Sequence, residues 1–267
     1  MPKTFQKSGL NNCEKDILAF ILRNDASIGS DEPKSNTRLS WRQVQYTFTD
    51  QRIYLYFIIA AGTLGAIKCL TLIHPSLIHG LTDSNELTHL LTAPPYVMAC
   101  LCCCWGGFSS SRLNEHGFHI ASFLLVGILG FIFMIILPDE SKVERYASNC
   151  IAFCGLYPSF PLALAWLTKN IGGHTKRALA ICYFMASSQL GGAMSFQIYR
   201  EADKPSYRRG HLLCGGAAIM ALIATLILRY CLIRENYRRA HLSADEYHRE
   251  ATIEEPCDWH PDIRYVL

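Results

Sequence analysis

Charge is scarce in this sequence. Of its 267 residues only 18% are Asp, Glu, Lys or Arg, where a water-soluble domain carries about a quarter. The shortfall comes in blocks, because the first 52 residues hold eight Lys or Arg while long stretches downstream hold none. The net charge of +3 is small and scattered. Without a basic stripe interleaved with aromatics, a nucleic-acid partner is not expected. Met1 to Asn12 is polar and lacks an apolar core before a small-residue cleavage site, so no secretory signal is read there. Also missing are a Gly-rich phosphate loop and any nucleophile, base and orienter that could be assembled into one site. Enzyme activity is therefore the least supported class, and no cofactor is expected.

Twelve cysteines are present, most of them inside apolar runs. There a cysteine behaves as a small hydrophobe. The group Cys100, Cys102, Cys103 and Cys104 does not have the spacing of zinc-ligand pairs, so no metal site is predicted.

Half of the residues are hydrophobic, and they gather into six long runs: Ile53–Ile73, Ala93–Ser109, Phe118–Leu137, Ala147–Thr168, Ala178–Tyr199 and His211–Ile233. A helix needs about 20 mainly apolar residues to cross a bilayer with its backbone groups satisfied internally. Only Lys68 and Arg229 bring a full charge into the six runs. Connectors this short leave no soluble partner to cover six apolar helices, so the predicted class is an all-α, polytopic membrane protein. If the N-terminus is inside, the inside segments carry 17 Lys or Arg and the outside loops 6. That asymmetry predicts cytosolic termini. Residues 1–52 then read as a cytosolic segment, 53–233 as a six-span bundle and 234–267 as a cytosolic tail. Within the first segment, Glu14 to Arg23 has one apolar face and Asn24 to Asn36 reads as a flexible linker. Ser40 to Val44 looks like the start of an amphipathic helix leading to the first span, and the tail is expected to be partly ordered at best.

Several stretches resemble a known family. They are Leu91-Thr92-Ala93-Pro94-Pro95-Tyr96, the run Gly155 to Leu167 with its Tyr157-Pro158-Ser159-Phe160-Pro161 core, and Gly173-His174-Thr175-Lys176-Arg177-Ala178. Gln189-Leu190-Gly191-Gly192, Ile198-Tyr199-Arg200, Arg234-Glu235-Asn236 and His260-Pro261 follow in order. Together they resemble the fungal allantoate permease family of the major facilitator superfamily, which includes nicotinate and pantothenate transporters. The resemblance implies twelve-span proteins of two six-helix halves, of which this chain aligns with the central loop and the second half. It further implies uptake of a small organic anion, proton-coupled, at the plasma membrane. The partner would be a missing first half or a second copy of this chain. A truncated membrane protein that does not transport is the alternative. At Ser110-Ser111-Arg112 the family usually shows Ser-Asp-Arg, so Ser111 cannot make the carboxylate pairing such an Asp would make.

Lys68 is the sharpest candidate for binding the anion, because an ammonium within a span is costly unless it pairs or reaches water; the alternative is snorkelling to the surface. Tyr157 and Trp166 are candidates to stack on a planar substrate, or else core residues. Pro158 and Pro161 free the carbonyls of Cys154 and Tyr157, predicting either a broken helix lining a cavity or a packing kink. Pro94 and Pro95 are expected in the first turn of a span. Gln189 is a candidate hydrogen-bonding group for substrate or for a neighbouring helix, while Ser187, Gly191 and Ser195 form a small-residue stripe predicting close helix approach. Arg112, His174, Lys176 and Arg177 are candidate gating-loop residues, against the plainer account of topological retention by positive charge. Arg229 is expected to snorkel to the headgroups.

Overall fold

A computed structural model describes residues 40–79, 85–138, 140–198, 207–252 and 257–267. The segments Glu14–Arg23 and Asn24–Asn36 lie outside these residues, as do Tyr199 and Arg200. Among the described residues the structure is all helical. A short α1, Trp41–Thr49, precedes six long helices: α2 Gln51–His79, α3 Asn85–Leu113, α4 Gly117–Ile136, α5 Lys142–Asn170, α6 His174–Ile198 and α7 Arg208–Ala240. They are followed by α8, Ala244–Ala251, and a single 3₁₀ turn, Cys257–Trp259.

Five of the long helices, α2, α3, α4, α5 and α7, are apolar enough along their length to cross a membrane. The chain is thus an integral, multi-pass membrane protein. The predicted span Ala178–Tyr199 falls in α6, which at 25 residues has ample length but a lower apolar content. His174, Lys176 and Arg177 open it, and Ser187, Ser188 and Gln189 interrupt its middle. It nonetheless packs extensively against α2.

The helices overrun the apolar runs that announced them. α7 continues through Arg234, Arg238 and Arg239 to Ala240, because hydropathy registers only the lipid-compatible part of a helix whose backbone ladder runs on. For the same reason Pro94 and Pro95 are not in a first turn: α3 begins at Asn85, placing both inside it. Proline at position 95 leaves the Leu91 carbonyl without its helical donor, and the Tyr146 hydroxyl donates to that carbonyl at 2.8 Å. Of the two readings open at Pro158 and Pro161, the broken helix is absent, since α5 runs unbroken from Lys142 to Asn170. Neighbours hold its path. Pro158 is buried, and Ser159 donates to the Gly155 carbonyl at 2.9 Å, bonding within the helix one turn back.

The α2 helix is the hub, packing on α6, α7 and α5, while α4 lies between α5 and α7 and α3 covers α5. Glycine sets the closest crossings. At Gly155 of α5 any Cβ would overlap the backbone of Gly127 in α4. At Gly191 of α6 it would overlap the Ala61 carbonyl of α2, so part of the small-residue stripe does bring two backbones together. The core between them is aromatic and aliphatic, with Trp166, Tyr56, Phe131, Phe153 and Phe184 fully buried.

Candidate functional site

Two polar clusters interrupt this apolar bundle, one near each end. The first grows from one face of α2, where Lys68, Thr71 and His74 follow at helical spacing. Lys68 is exposed, its stem resting against Gly192 of α6, whose Cβ position would stand 3.2 Å from Lys68 Cγ. Among the described residues its ammonium has no hydrogen-bond or ion-pair partner. One turn on, the Thr71 hydroxyl lies 3.4 Å from the Tyr157 hydroxyl of α5. Tyr157 is half-buried and belongs to a ring stack, parallel to Phe153 at 5.1 Å and edge-on to Tyr96 of α3 at 5.9 Å. Tyr96 also meets Phe153 edge-on, at 5.1 Å.

Behind this stack sits His74, which is fully buried. The Asn149 amide of α5 donates from Nδ2 to His74 Nδ1 at 2.7 Å. An amide nitrogen can only donate, so Nδ1 is the acceptor and Nε2 carries the imidazole proton. That N–H donates to the Thr92 carbonyl of α3 at 3.3 Å. Neither His74 nor Asn149 was singled out from the sequence, although a His and an Asn beside or within apolar runs are the legible signal. The first run was drawn to stop at Ile73, one residue short.

The remaining candidates of this group do not all converge. Gln189 is exposed on α6, one turn before the Gly192 that touches Lys68. Trp166 is elsewhere, about 14 Å along α5 from Tyr157 at 1.5 Å per residue. It is fully buried, edge-on to Tyr56 at 5.6 Å, and its indole N–H donates to the Val266 carbonyl at 2.8 Å.

That bond belongs to the second cluster, at the end where α2, α4 and α6 begin and α3, α5 and α7 finish. Lys176 is completely buried there, with its ammonium 2.9 Å from Asp50 and 2.6 Å from Asp258 and 4.8 Å above the Trp259 ring. Arg52 reaches the same two carboxylates, at 2.9 Å and 3.3 Å. Burial alone would push the Asp50 carboxyl up, but the charges of Lys176 and Arg52 outweigh it and hold the group below the usual carboxylate range. Arg239 of α7 caps the far side, donating to the Asp258, His260 and Ile263 carbonyls and, at 2.8 Å, to the Tyr265 hydroxyl.

The terminal residues therefore do not form a loose tail. Asn170 exchanges two bonds with Val266, at 2.9 and 2.7 Å; Asn236 does the same with Tyr265, both at 2.8 Å; the His116 backbone N–H donates to the Leu267 carbonyl. An expectation of partial order followed from composition alone. Backbone groups that would be solvated on an isolated peptide here pair with residues at the ends of α4, α5 and α7 at once.

Of the gating-loop candidates, only Lys176 lies inside this network. Arg177 donates to the Ile171 carbonyl at 2.8 Å, His174 is exposed, and Arg112 is exposed and stacks over Phe108 at 4.9 Å. The start of α6 is shaped by two neighbours. Gln43 of α1 accepts from the Thr175 and Lys176 backbone amides at 3.0 and 3.2 Å, capping orphan donors. Gly173 has φ +84 with Cys257 Sγ in the place a Cβ would need, so only glycine suits the turn. Ser111 is exposed, yet the same loop does supply a carboxylate: Glu115 accepts from Arg229 of α7 at 2.9 Å, and Arg229 lies 3.7 Å over the Phe118 ring. Arg229 is thus held by a partner rather than reaching alone for headgroups.

An open cleft of about 700 Å³ lies at this end, between the start of α2, the end of α7 and α8. Its charges are mutually engaged, Arg238 with Glu235 and Glu250 and Arg52 with Asp50. Among the described residues no group of His, Cys, Asp and Glu is placed to hold a metal ion.

No family model matches the chain. The curated relatives it matches are fungal proteins named as transporters. It is 29% identical to the MFS transporter prlL of a fungal species, over 82% of this chain and 44% of that protein. Over 93% of this chain it is 26% identical to an uncharacterized transporter of Schizosaccharomyces pombe, covering 50% of it. The high-affinity nicotinic acid transporter of Saccharomyces cerevisiae is 24% identical over 86% of this chain and 42% of its own length. The chain spans about half the length of these relatives. All three carry transporter names, which fit a non-enzyme, and a bundle of membrane-crossing helices fits the second half of a major facilitator protein.

Proposed function

We propose that the chain is the second six-helix half of a carrier of the allantoate permease type, moving a small organic anion such as nicotinate, pantothenate or allantoate together with protons across the plasma membrane, with both termini cytosolic. The observation that carries the reading is the exposed Lys68, unpaired among the described residues and set into a mostly apolar helix beside Thr71 and Tyr157. An ammonium supplies the charge a carboxylate needs, and the half-buried phenol supplies a ring face and a hydroxyl. Gln189 borders the same face. The matching half of a two-half carrier, or a second copy of this chain, would complete the cavity, since sites of this kind lie at a repeat interface near the bilayer midplane. In this reading Lys176 and its carboxylates close the cytosolic end, with Arg112, His174 and Arg177 around it, and Trp166 serves packing. The half-length match to the relatives also supports a second reading, a membrane-embedded protein that does not transport by itself.

Radiolabelled uptake of the three anions, in cells lacking their own carriers, separates the possibilities. The 267-residue chain alone is expected to give background uptake and the chain joined to a six-span first half saturable uptake. In the joined protein Lys68→Ala should raise the apparent Kd at least about tenfold, an interaction of roughly 1.4 kcal/mol, and Lys68→Arg less. Saturable uptake by the chain alone at the same rate would overturn the half-carrier reading, and equal uptake by all three forms would remove Lys68 from the site.

A further inference from the structure

The His74–Asn149 pair is not explained by packing. Both side chains are fully buried, and Asn149 Oδ1 has no hydrogen-bond partner among the described residues. A buried carbonyl oxygen left unmade costs about 1–3 kcal/mol. The amide is isosteric about its long axis, so turning it over brings Oδ1 to His74 Nδ1 and changes nothing in shape.

We propose that His74 and Asn149 form an intramembrane proton-binding site: a proton from water adds to His74 Nδ1 while the Asn149 amide turns so that Oδ1 accepts it. In the arrangement described, Nδ1 accepts from Asn149 and Nε2–H donates to Thr92, so the pair suits a neutral imidazole. After the turn an imidazolium would donate to two carbonyl oxygens, that of Thr92 and Asn149 Oδ1, and the orphan oxygen would gain its partner. Aromatic rings surround the charge so formed: Phe153 at 5.1 Å, Tyr96 at 5.8 Å and Tyr146 at 6.4 Å. Of these, Phe153 and Tyr96 lie within the roughly 6 Å reach of cation–π attraction. Among the described residues the titratable groups whose rings face the imidazole are Tyr96 from α3 and Tyr146 from α5. The Tyr146 hydroxyl is committed to the Leu91 carbonyl, and Cys150, next to Asn149, faces Tyr146. On α2 itself the nearest charge is Lys68, about 9 Å down the helix at 1.5 Å per residue. Between them stand the Thr71 and Tyr157 hydroxyls, 3.4 Å apart, which place hydrogen-bonding groups between the buried imidazole and the exposed face. The inference rests on the transporter reading for its purpose, giving that reading a place for the coupling proton, but its chemistry is testable without transport.

The test is an NMR titration of the 267-residue chain, imidazole-labelled with ¹³C and ¹⁵N, in lipid nanodiscs from about pH 8 to about pH 4.5. One signal, absent from His74→Gln, should pass from the neutral Nε2–H form to the imidazolium. Asn149→Asp should raise its midpoint by about one pH unit or more, a tenfold gain in proton affinity. Asn149→Leu should lower it by a similar amount, because the acceptor for the new proton is gone. If Asn149 served only as a donor to the neutral ring, the leucine variant would leave the midpoint unchanged or raise it, and that result overturns the proposal. So does a His74 signal that stays neutral throughout. Should His74→Gln fail to fold, the signal is identified by its displacement in Asn149→Asp. A titrating His74 in a joined carrier that moves none of the three anions removes the transport reading and keeps the proton site; saturable uptake with a neutral His74 does the reverse.

Discussion

Lys176 shows what a single residue can stake on its partners. Fully buried between Asp50 and Asp258, it neutralises two carboxylates whose other cationic partner among the described residues is Arg52. Breaking a buried ion pair from one side costs about 3–5 kcal/mol, because the remaining charge stays desolvated. Lys176→Met is therefore expected to lower the melting temperature of the detergent-solubilised chain sharply. Adding Asp258→Asn should restore part of the loss, leaving Asp50 to Arg52 alone; a double variant worse than the single one would contradict the assigned pairing. His116 gives a second prediction at this scale. It is buried in the loop between α3 and α4, with Nδ1 unpartnered among the described residues. Burial first, then the charges of Lys169 and His119, push its imidazole down to about 4. A depressed imidazole means that the unfolded chain binds the proton more readily, so stability is lost as pH falls from about 6.5 toward about 4 and levels off below. The loss amounts to at most about 3 kcal/mol. Melting curves for His116→Gln should show a shallower slope in that window than the parent chain, and identical slopes would refute it.

At the scale of the element, the segment closing the chain acts as a strap across helix ends. Tyr265, Val266 and Leu267 serve Asn236 of α7, Trp166 and Asn170 of α5, and the His116 amide ahead of α4. Deleting these three residues leaves several buried donors without acceptors, at about 1–3 kcal/mol each. The deletion should expose Asn170 and Trp166 to water, read as a red shift of tryptophan fluorescence and a lower melting temperature. A chain unchanged by the deletion would mean that these bonds do not hold the end together. The α3 helix shows the opposite economy. Its Val97, Met98, Leu101, Trp105 and Phe108 are exposed, and only the side toward α5 is buried, so lipid or a further helical half must cover it.

The whole molecule presents an apolar exterior, from Leu125, Leu129, Ile132 and Ile136 of α4 to Met220, Ile223 and Ile227 of α7, bounded at one end by the charged network around Asp258. In the proposed orientation, which rests on the 17 to 6 division of Lys and Arg, that end faces the cytosol. Accessibility tags at Ser84 and at the C-terminus should then label from opposite sides of the membrane; labelling from the same side would reject the six-span arrangement. Such an assay also decides whether α6, which lacks the continuous apolar stretch found in the other five long helices, crosses completely.

Which parts of this protein were legible in the sequence follows from the range of the forces involved. The existence of membrane helices depends on local apolar length, so residues such as Phe118–Leu137 declared themselves without reference to any other part of the chain. The tight approach at Gly191 was likewise foreshadowed by small residues at a spacing of four. Lys68 stood out because a charge in an apolar run needs a reason. Pairings between distant residues were another matter. Lys176 meets Asp50 and Asp258 across 126 and 82 positions, and His74 meets Asn149 across 75. No local pattern encodes which acid will neutralise which base, because that depends on how helices cross, and the crossings depend on glycines buried against backbones of other helices. Trp166 could therefore be read from sequence as a substrate platform, whereas the packed structure turns its N–H to Val266. The closing strap illustrates the same limit: polar composition describes how a segment meets water, and only the folded chain places the ends of α4, α5 and α7 where its polar groups are needed.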